Sequence, residues 1–340
     1  MTDPTAPQGF PVDAVITWVD GTDPALLAKR TRFLRAGEER VHEKACDTTR
    51  FADEGELRWC IASILAYAPY IRRIWVVTDG QRPALIDDMI GAGLITADRL
   101  RVVDHTDMFG THAHHLPTFC SLTIETMLWN IDGLAEHFVS FNDDFFLNRP
   151  CPADTFFDAR GLPVIWGGRE PHKLRHRLIH ARARLMQLLG TGRQPSPGYG
   201  LSQSLGARLG GETGTYVRSH HTPRPLRRST LRDFYAAHPD TLTQQLRCRF
   251  RHHTQHFPVT LANTLELRAH GASYAGVPDM VYVHADGLAA DDPVLDRLAG
   301  DTAPFGCIQS LDCATDATAA RIESIMARKL ADFLPPREPD

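Results

Sequence analysis

His137-Phe138-Val139-Ser140-Phe141-Asn142-Asp143-Asp144-Phe145-Phe146-Leu147-Asn148-Arg149-Pro150 is the stretch from which the fold is read. Residues 138–141 are a short apolar run of strand formers, which predicts a buried strand. The run leads directly into Asn142, Asp143 and Asp144, the last two anionic at neutral pH. Adjacent carboxylates at the end of a buried strand repel each other and are costly to desolvate. A divalent cation relieves both penalties, and Mg2+ or Mn2+ takes carboxylate oxygens. A plain turn accounts for the same residues, because Asn and Asp favour turns and caps. In open α/β sheets ligands bind outside the carboxyl ends of the strands, so the neighbouring strands bear on the choice.

Working outward, residues 13–19 read as a buried strand followed by the loop Asp20-Gly21-Thr22-Asp23-Pro24. Asp23 suits the cap and Pro24 the first turn of a helix. Leu57, Ile61, Ile64 and Leu65 recur at helical spacing, so residues 56–67 predict an amphipathic helix that stops before Pro69. Residues 73–78 predict a second strand ending in the turn Asp79-Gly80. A short helix from Pro83, a strand at 100–103 and a helix at 121–131 follow. This alternation predicts an α/β fold with a Rossmann-like (GT-A-like), mostly parallel sheet, helices on both faces and an inserted helical subdomain. Three of the strands end in acids: Asp20 and Asp23, Asp79, then Asp143 and Asp144. Parallel strands carry those ends to one edge.

The 340 residues allow one large domain or two smaller ones. A net charge of -4 with 23% charged residues gives no sign of a nucleic-acid partner. There is no apolar run of about eighteen residues and no basic, apolar N-terminal leader, so the expectation is a protein without a membrane span or signal peptide, located in the cytoplasm. Seven cysteines, at 46, 60, 120, 151, 248, 307 and 313, form no closely spaced framework and read as free thiols. Cys307 and Cys313 read as structural. His112, His114 and His115, and the pair His252 and His256, have the residue type of a zinc site but no acidic or thiol partners, and zinc is not expected at either.

The residues also carry a resemblance. Thr17-Trp18-Val19-Asp20-Gly21-Thr22-Asp23-Pro24 resembles the first signature of the Stealth family. That family comprises sugar-1-phosphate transferases, among them bacterial capsule polymerases and the animal lysosomal-enzyme N-acetylglucosamine phosphotransferase. The second signature runs through Arg50-Phe51-Ala52-Asp53-Glu54-Gly55-Glu56-Leu57-Arg58, Tyr67-Ala68-Pro69 and Trp75-Val76-Val77-Thr78-Asp79-Gly80-Gln81. It continues through His105, Phe109 and Leu116-Pro117-Thr118-Phe119 to Phe141-Asn142-Asp143-Asp144-Phe145. His220-His221-Thr222-Pro223 with Arg249-Phe250-Arg251 resembles the third. The chain departs from the family pattern at Cys120, where Asn is usual, and near Gln255, where an acid is usual. It also departs at 305–312, which lacks the Asn-Asp pair of the fourth signature but has Asp312 close by.

The resemblance implies a nucleotide sugar donor, UDP-linked by expectation, and a glycan or phosphoglycan acceptor. A divalent ion would sit on Asp143 and Asp144, with Asp144 also catalytic. An acceptor hydroxyl would attack the phosphorus nearer the sugar, expelling a nucleoside monophosphate. His221 is the implied base and Arg251, with Arg249 nearby, the phosphate clamp, since a guanidinium fork suits bidentate contacts. Trp18, Asp20, Gly21, Asp23, Asp79, Gly80 and Arg58 fall on the donor side. Each has a plainer reading. Trp18 is more readily a core aromatic than a stacking platform, and Arg50, Asp53, Glu56 and Arg58 suit a salt-bridge network equally well. A metal-dependent glycosyltransferase using the same donor, and a lapsed glycan-binding protein, are the alternatives.

Residues 12–160 thus read as the catalytic core, 161–219 as an inserted, basic and partly helical segment, 220–334 as the rest of the catalytic domain, and 335–340 as a disordered tail. In 173–189, Lys173, Arg175, Arg177, Arg182 and Arg184 alternate with leucines at near-helical spacing. Two readings fit: a helix lying on the anionic inner face of a membrane, where a lipid-linked acceptor would be presented, or a solvated basic helix packed on the domain. The balance falls on the second. Residues 191–200, rich in Gly and Pro, read as a mobile loop suited to a lid, and the basic, Pro-rich 222–228 as a path for anionic glycan.

Overall fold

The computed structural model describes residues 9–35, 54–189 and 195–336. Arg50 and Asp53 of the second signature, Cys46, residues 191–194 of the expected lid and the last four residues of the tail lie outside the described residues.

Four strands run parallel: β1 (Val12–Thr17), β2 (Ile71–Thr78), β3 (Leu100–Asp104) and β4 (His137–Asn142). After β5 (Phe145–Leu147) the chain leaves this sheet for the short strands β6 (Ile165–Trp166), β7 (Gly168–Pro171) and β8 (Thr215–Arg218). It returns as β9 (Arg224–Arg227), antiparallel to β4, giving the order β3-β2-β1-β4-β9. Then come β10 (Tyr274–Gly276), β11 (Met280–His284) and β12 (Phe305–Gln309). β11 and β12 form a second sheet with β5, in the order β11-β12-β5. The α/β class and the mainly parallel sheet agree with the sequence. Thr17 of β1 pairs with Val77 of β2 and with Asn142 of β4. Trp18, Asp79 and Asp143 therefore emerge side by side at one edge.

Alternation along the strands supplies two core faces. Ala14, Ile16, Ile74, Val76, Val139 and Phe141 pack with the helices Glu56–Tyr67 and Ala84–Gly91. Val15, Trp75, Val77 and Phe138 pack with Ser121–Met127, Arg228–Ala237, Pro239–Leu246 and Pro258–Leu265. The helix expected at 121–131 is α-helical only to Met127 and tightens into a 3-10 turn at Leu128–Asn130. One charge is enclosed: Asp13, fully buried on β1, receives both Nε (2.9 Å) and Nη2 (2.8 Å) of Arg72, Nε1 of Trp75 (3.0 Å) and the backbone N–H of Ala135 (2.9 Å). Four donors on one carboxylate offset its desolvation.

The second sheet adds a third layer. Its buried residues Val281, Val283, Ile308 and Phe146 pack on Trp59 and Ala62 and on residues of the helices Pro293–Ala299 and Asp316–Lys329. Glu56–Tyr67 is consequently enclosed on two sides, with eight consecutive-turn residues buried from Leu57 to Leu65. The single apolar face expected from spacing understates it, because Trp59 and Ala62 serve a layer that lies far along the chain. The segment expected as one helix at 173–189 is divided into Leu174–Arg177 and Ile179–Leu188. Among the described residues no helix is long and apolar enough to cross a membrane.

Candidate active site

A cleft of about 580 Å³ opens at the carboxyl ends of β1, β2 and β4, within the size range of small-molecule sites. Of the residues singled out from the sequence, Trp18, Asp79, Asp143, Asp144, His221 and Arg251 line it, and so do Glu56, His105, Cys120, Asn142 and Asp312. Asp20, Gly21, Asp23, Arg58, Gly80 and Arg249 are not in its lining. Asp20 accepts hydrogen bonds from the Thr22 N–H (2.8 Å) and hydroxyl (2.6 Å), which closes the turn through Gly21. Asp23 caps the helix Pro24–Arg35 through the Ala25 N–H (2.8 Å). The Gln81 amide donates to Asp23 (2.9 Å), and this bond leads in holding the Asp23 pKa below its usual value. Gly80 takes a left-handed turn and donates its N–H to Asp104 (2.6 Å). Arg58 pairs with Glu323 and lies over the Trp59 ring. Arg249 donates to the carbonyls of Pro117 (2.7 Å) and His115 (3.3 Å) and covers Phe33. It holds the Leu116–Phe119 segment in place rather than facing the cleft.

Asp144 is the centre of the site. Pairing of β12 with β5 delivers Cys307 opposite Phe145, and the Ile308 N–H donates to the Asp144 carbonyl (3.0 Å). Oδ2 of Asp144 receives the Gln309 amide (3.0 Å) and the Cys307 thiol (3.4 Å). Oδ1 is buried with no hydrogen-bond partner. Burial raises the Asp144 pKa, against the opposing Gln309, Cys307 and Arg224, and burial together with Asp144 keeps Cys307 protonated. Cys307, read from the sequence as structural, thus stands in the site. Asp144, His221 and Cys307 are the cluster of metal-binding residue types found among the described residues, with ligand atoms within 4.8 Å of one another. A buried carboxylate oxygen without a partner, beside a second carboxylate on Asp143, fits a divalent cation.

The Gln309 amide nitrogen also lies 3.2 Å from Nδ1 of His221, and the Tyr282 hydroxyl donates to Oε1 of Gln309. These contacts link Tyr282, Gln309, His221 and Asp144. Burial, reinforced by Arg224, His220 and Arg218, lowers the His221 pKa to about 4, so its ring is neutral at pH 7.

Four residues that the sequence did not single out complete the walls. Arg224, buried on β9, lies between the rings of Phe145 (5.0 Å) and Phe257 (5.1 Å). Its Nη1 reaches Asn142 Oδ1 (3.4 Å) and Glu125 Oε2 (3.6 Å). Glu125 is buried and its pKa is raised by that burial, against Arg224 and Arg251. Gln309 and Tyr199 are the other two; the Tyr199 ring lies 5.5 Å from that of His221. Arg251 donates to the Ser121 hydroxyl (2.8 Å). The site therefore holds two guanidinium groups around the buried Glu125, Arg224 on the strand next to the one that ends in the Asp143–Asp144 pair, with a neutral imidazole beside Asp144. Such a set neutralises and orients a polyphosphate and can accept one proton.

Comparison with known proteins agrees with the signatures. The family model for Stealth protein CR1, conserved region 1, matches residues 10–38, and that for Stealth protein CR2, conserved region 2, matches residues 50–165. An exopolysaccharide phosphotransferase of Streptomyces coelicolor is 34% identical over 292 residues, covering 85% of this chain and 48% of that protein. A capsular polysaccharide phosphotransferase of Aeromonas hydrophila is 34% identical over 247 residues, covering 71% of this chain and 61% of that protein. A second exopolysaccharide phosphotransferase of Streptomyces coelicolor is 30% identical over 334 residues, 96% of this chain and 50% of that protein. The chain spans about half the length of the curated relatives it matches. His221, Arg224, Arg251 and Gln309 lie beyond the residues that either family model matches.

Proposed function

The chain belongs to the Stealth family, and from that premise and the chemistry of the cleft we propose that it is a sugar-1-phosphate transferase. It takes a nucleotide sugar, UDP-linked, and moves hexose 1-phosphate to a hydroxyl of a glycan acceptor in capsule or exopolysaccharide synthesis. The observation that carries this reading is the buried, unpartnered Oδ1 of Asp144, in a cleft that Arg224 and Arg251 also line and beside a neutral His221.

In the reaction the acceptor oxygen bonds to the phosphorus next to the sugar, and the bond from that phosphorus to the bridging oxygen of the pyrophosphate breaks. A nucleoside monophosphate leaves, and a phosphodiester joins sugar to acceptor. Asp143 and Asp144 would hold the divalent cation (Mg2+ or Mn2+), whose chemistry is to neutralise charge on the phosphate oxygens. Arg224 and Arg251 supply charge from the cleft lining, where preorganised donors act most strongly out of bulk water. Stacking between Phe145 and Phe257 fixes the plane of Arg224 before any ligand arrives. His221, neutral at pH 7, accepts the proton of the attacking hydroxyl. Trp18 and Asp79, at the ends of β1 and β2, form the donor-side wall.

The test is to incubate the protein with Mg2+, a panel of UDP-sugars and a glycan acceptor and to identify the released nucleotide. UMP, with phosphorus in the product, is the expected result. UDP would mean glycosyl transfer at the anomeric carbon instead. Tight donor binding without turnover of any panel member would favour the lapsed glycan-binding reading.

A further inference from the structure

Residues 171–211 contain no Asp or Glu, yet Lys173, Arg175, Arg177, Arg182 and Arg184 fall within them. The helices Leu174–Arg177 and Ile179–Leu188 are joined with little loss of register. The Leu178 N–H donates to the Leu174 carbonyl (3.1 Å), and the Arg182 N–H to the Leu178 carbonyl (2.9 Å). At the helical period of about 3.6 residues the segment has two opposed faces. His176 and Ile179 are buried and Ala183 and Met186 half-buried on the inner one. The opposite face displays Leu174 (67% exposed), Leu178 (52%), Leu185 (55%), Leu188 (85%) and Leu189 (67%). These leucines fall within an arc of roughly 120° at that period, with Arg175 and Arg182 along one margin and Arg177 and Arg184 along the other.

We propose that this face is a docking surface for an anionic lipid bilayer, on which the leucines enter the acyl boundary and the flanking cations meet the headgroups. Each half of the pattern removes a competing occupant. A second copy of the chain set face to face would cover the leucines but bring two double rows of arginine together, with no carboxylate in the segment to separate them. A soluble anionic glycan would satisfy the arginines and leave the leucines in water. An anionic bilayer satisfies both, the arrangement of an interfacial amphipathic helix. The segment is anchored to the body by His172, whose ring meets the Ser204 hydroxyl (2.7 Å) and the Glu212 carbonyl (3.1 Å). Ser204 lies on the helix Tyr199–Leu209, whose first residue lines the cleft.

The proposal is tested by co-sedimentation of the full chain with phosphatidylcholine vesicles, with and without about a third phosphatidylglycerol, at roughly 0.1 M salt. The expected result is binding at least about tenfold tighter to the anionic vesicles, falling about tenfold in L178S/L185S/L188S/L189S and again in R175Q/R177Q/R182Q/R184Q. Both variants alter exposed side chains, and thermal unfolding checks that each keeps the wild-type midpoint. Equal binding to neutral vesicles would overturn the proposal. So would unchanged binding of either variant. A wild-type dimer in sedimentation velocity that the leucine variant converts to monomer would assign the face to a second copy instead. None of these readouts depends on the transfer reaction, so the bilayer proposal and the transferase reading fail separately.

Discussion

At the residue scale, Asp144 separates binding chemistry from stability. Its two oxygens differ: one holds Gln309 and Cys307 in place, the other has no protein partner. Asp144→Asn keeps the volume, removes the charge whose burial raises its pKa, and removes the proposed cation ligand. Turnover should fall by about a thousandfold or more, while the thermal midpoint stays within the shift caused by about 1 kcal/mol. A large loss of stability would mean instead that the carboxylate is structural. For His221 the expected signature is a pH profile. A pKa lowered to about 4 leaves the ring neutral through pH 5, so its protonation should limit kcat only below that pH and not near 6.5. His221→Ala should cost about 10²–10⁴-fold in kcat with donor binding by calorimetry retained; lost donor affinity would give His221 a different role. The carboxylate pair was legible because it ends an apolar run. Arg224 was not, since Arg227 and Arg228 share its basic stretch and only the pairing of β9 with β4 turns Arg224 inward. Gln309 carries no charge to betray it. Two of the departures from the family pattern explain each other: the Cys120 thiol donates to Gln255 Oε1 at 3.2 Å in a buried position, a pairing that sequence separation hides.

At the element scale, β12 is the strand that brings Cys307 and Gln309 to Asp144 from outside the parallel sheet. Gly306 lets it approach β5: a Cβ at that position would fall 2.1 Å from the Phe146 ring, whose buried place in the third layer leaves it little room to move. Gly306→Ala should therefore cost about 1–3 kcal/mol of stability. It should also lower turnover disproportionately, because Cys307 and Gln309 ride on the displaced strand. Urea unfolding alongside steady-state kinetics checks both; wild-type kcat in the folded variant would show that the strand's placement is not limiting. Just beyond, Ser310 adopts the left-handed conformation (φ 58°) at the cleft wall, where a non-glycine residue stores strain. The parallel strands and the helix Glu56–Tyr67 were readable because apolar runs and helical spacing are long there. The second sheet was not, since β5 has three residues and its partner strand β12 lies about 160 positions further along the chain. Its strands find each other only across the whole chain.

At the scale of the molecule, buried histidines link stability to pH. His256 is buried, its Nε2 2.7 Å from the Tyr235 hydroxyl, and burial lowers its pKa to about 4. A folded pKa below the unfolded value of about 6.5 favours the neutral ring on folding. The stabilisation is complete above pH 6.5 and is lost as the pH falls toward 4. Between pH 6.5 and 4.5 the loss should be about 2–3 kcal/mol, measured by thermal unfolding, and His256→Gln should flatten the dependence because the amide can accept from Tyr235 without titrating. An unchanged slope in that variant would assign the acid sensitivity to other groups.

The strand order has a consequence for how the molecule comes into being. β1 to β4, with Asp143 and Asp144 at their edge, are complete in the first half of the chain, whereas β9 with Arg224 and β12 with Gln309 come late. On a ribosome the N-terminal part folds first. The nascent protein thus owns its anionic pair well before its arginine wall or the amide that organises Asp144. The proposed centre can assemble only once β12 has emerged, so a product terminated before it would carry the parallel sheet with its acids and lack Gln309 and Cys307.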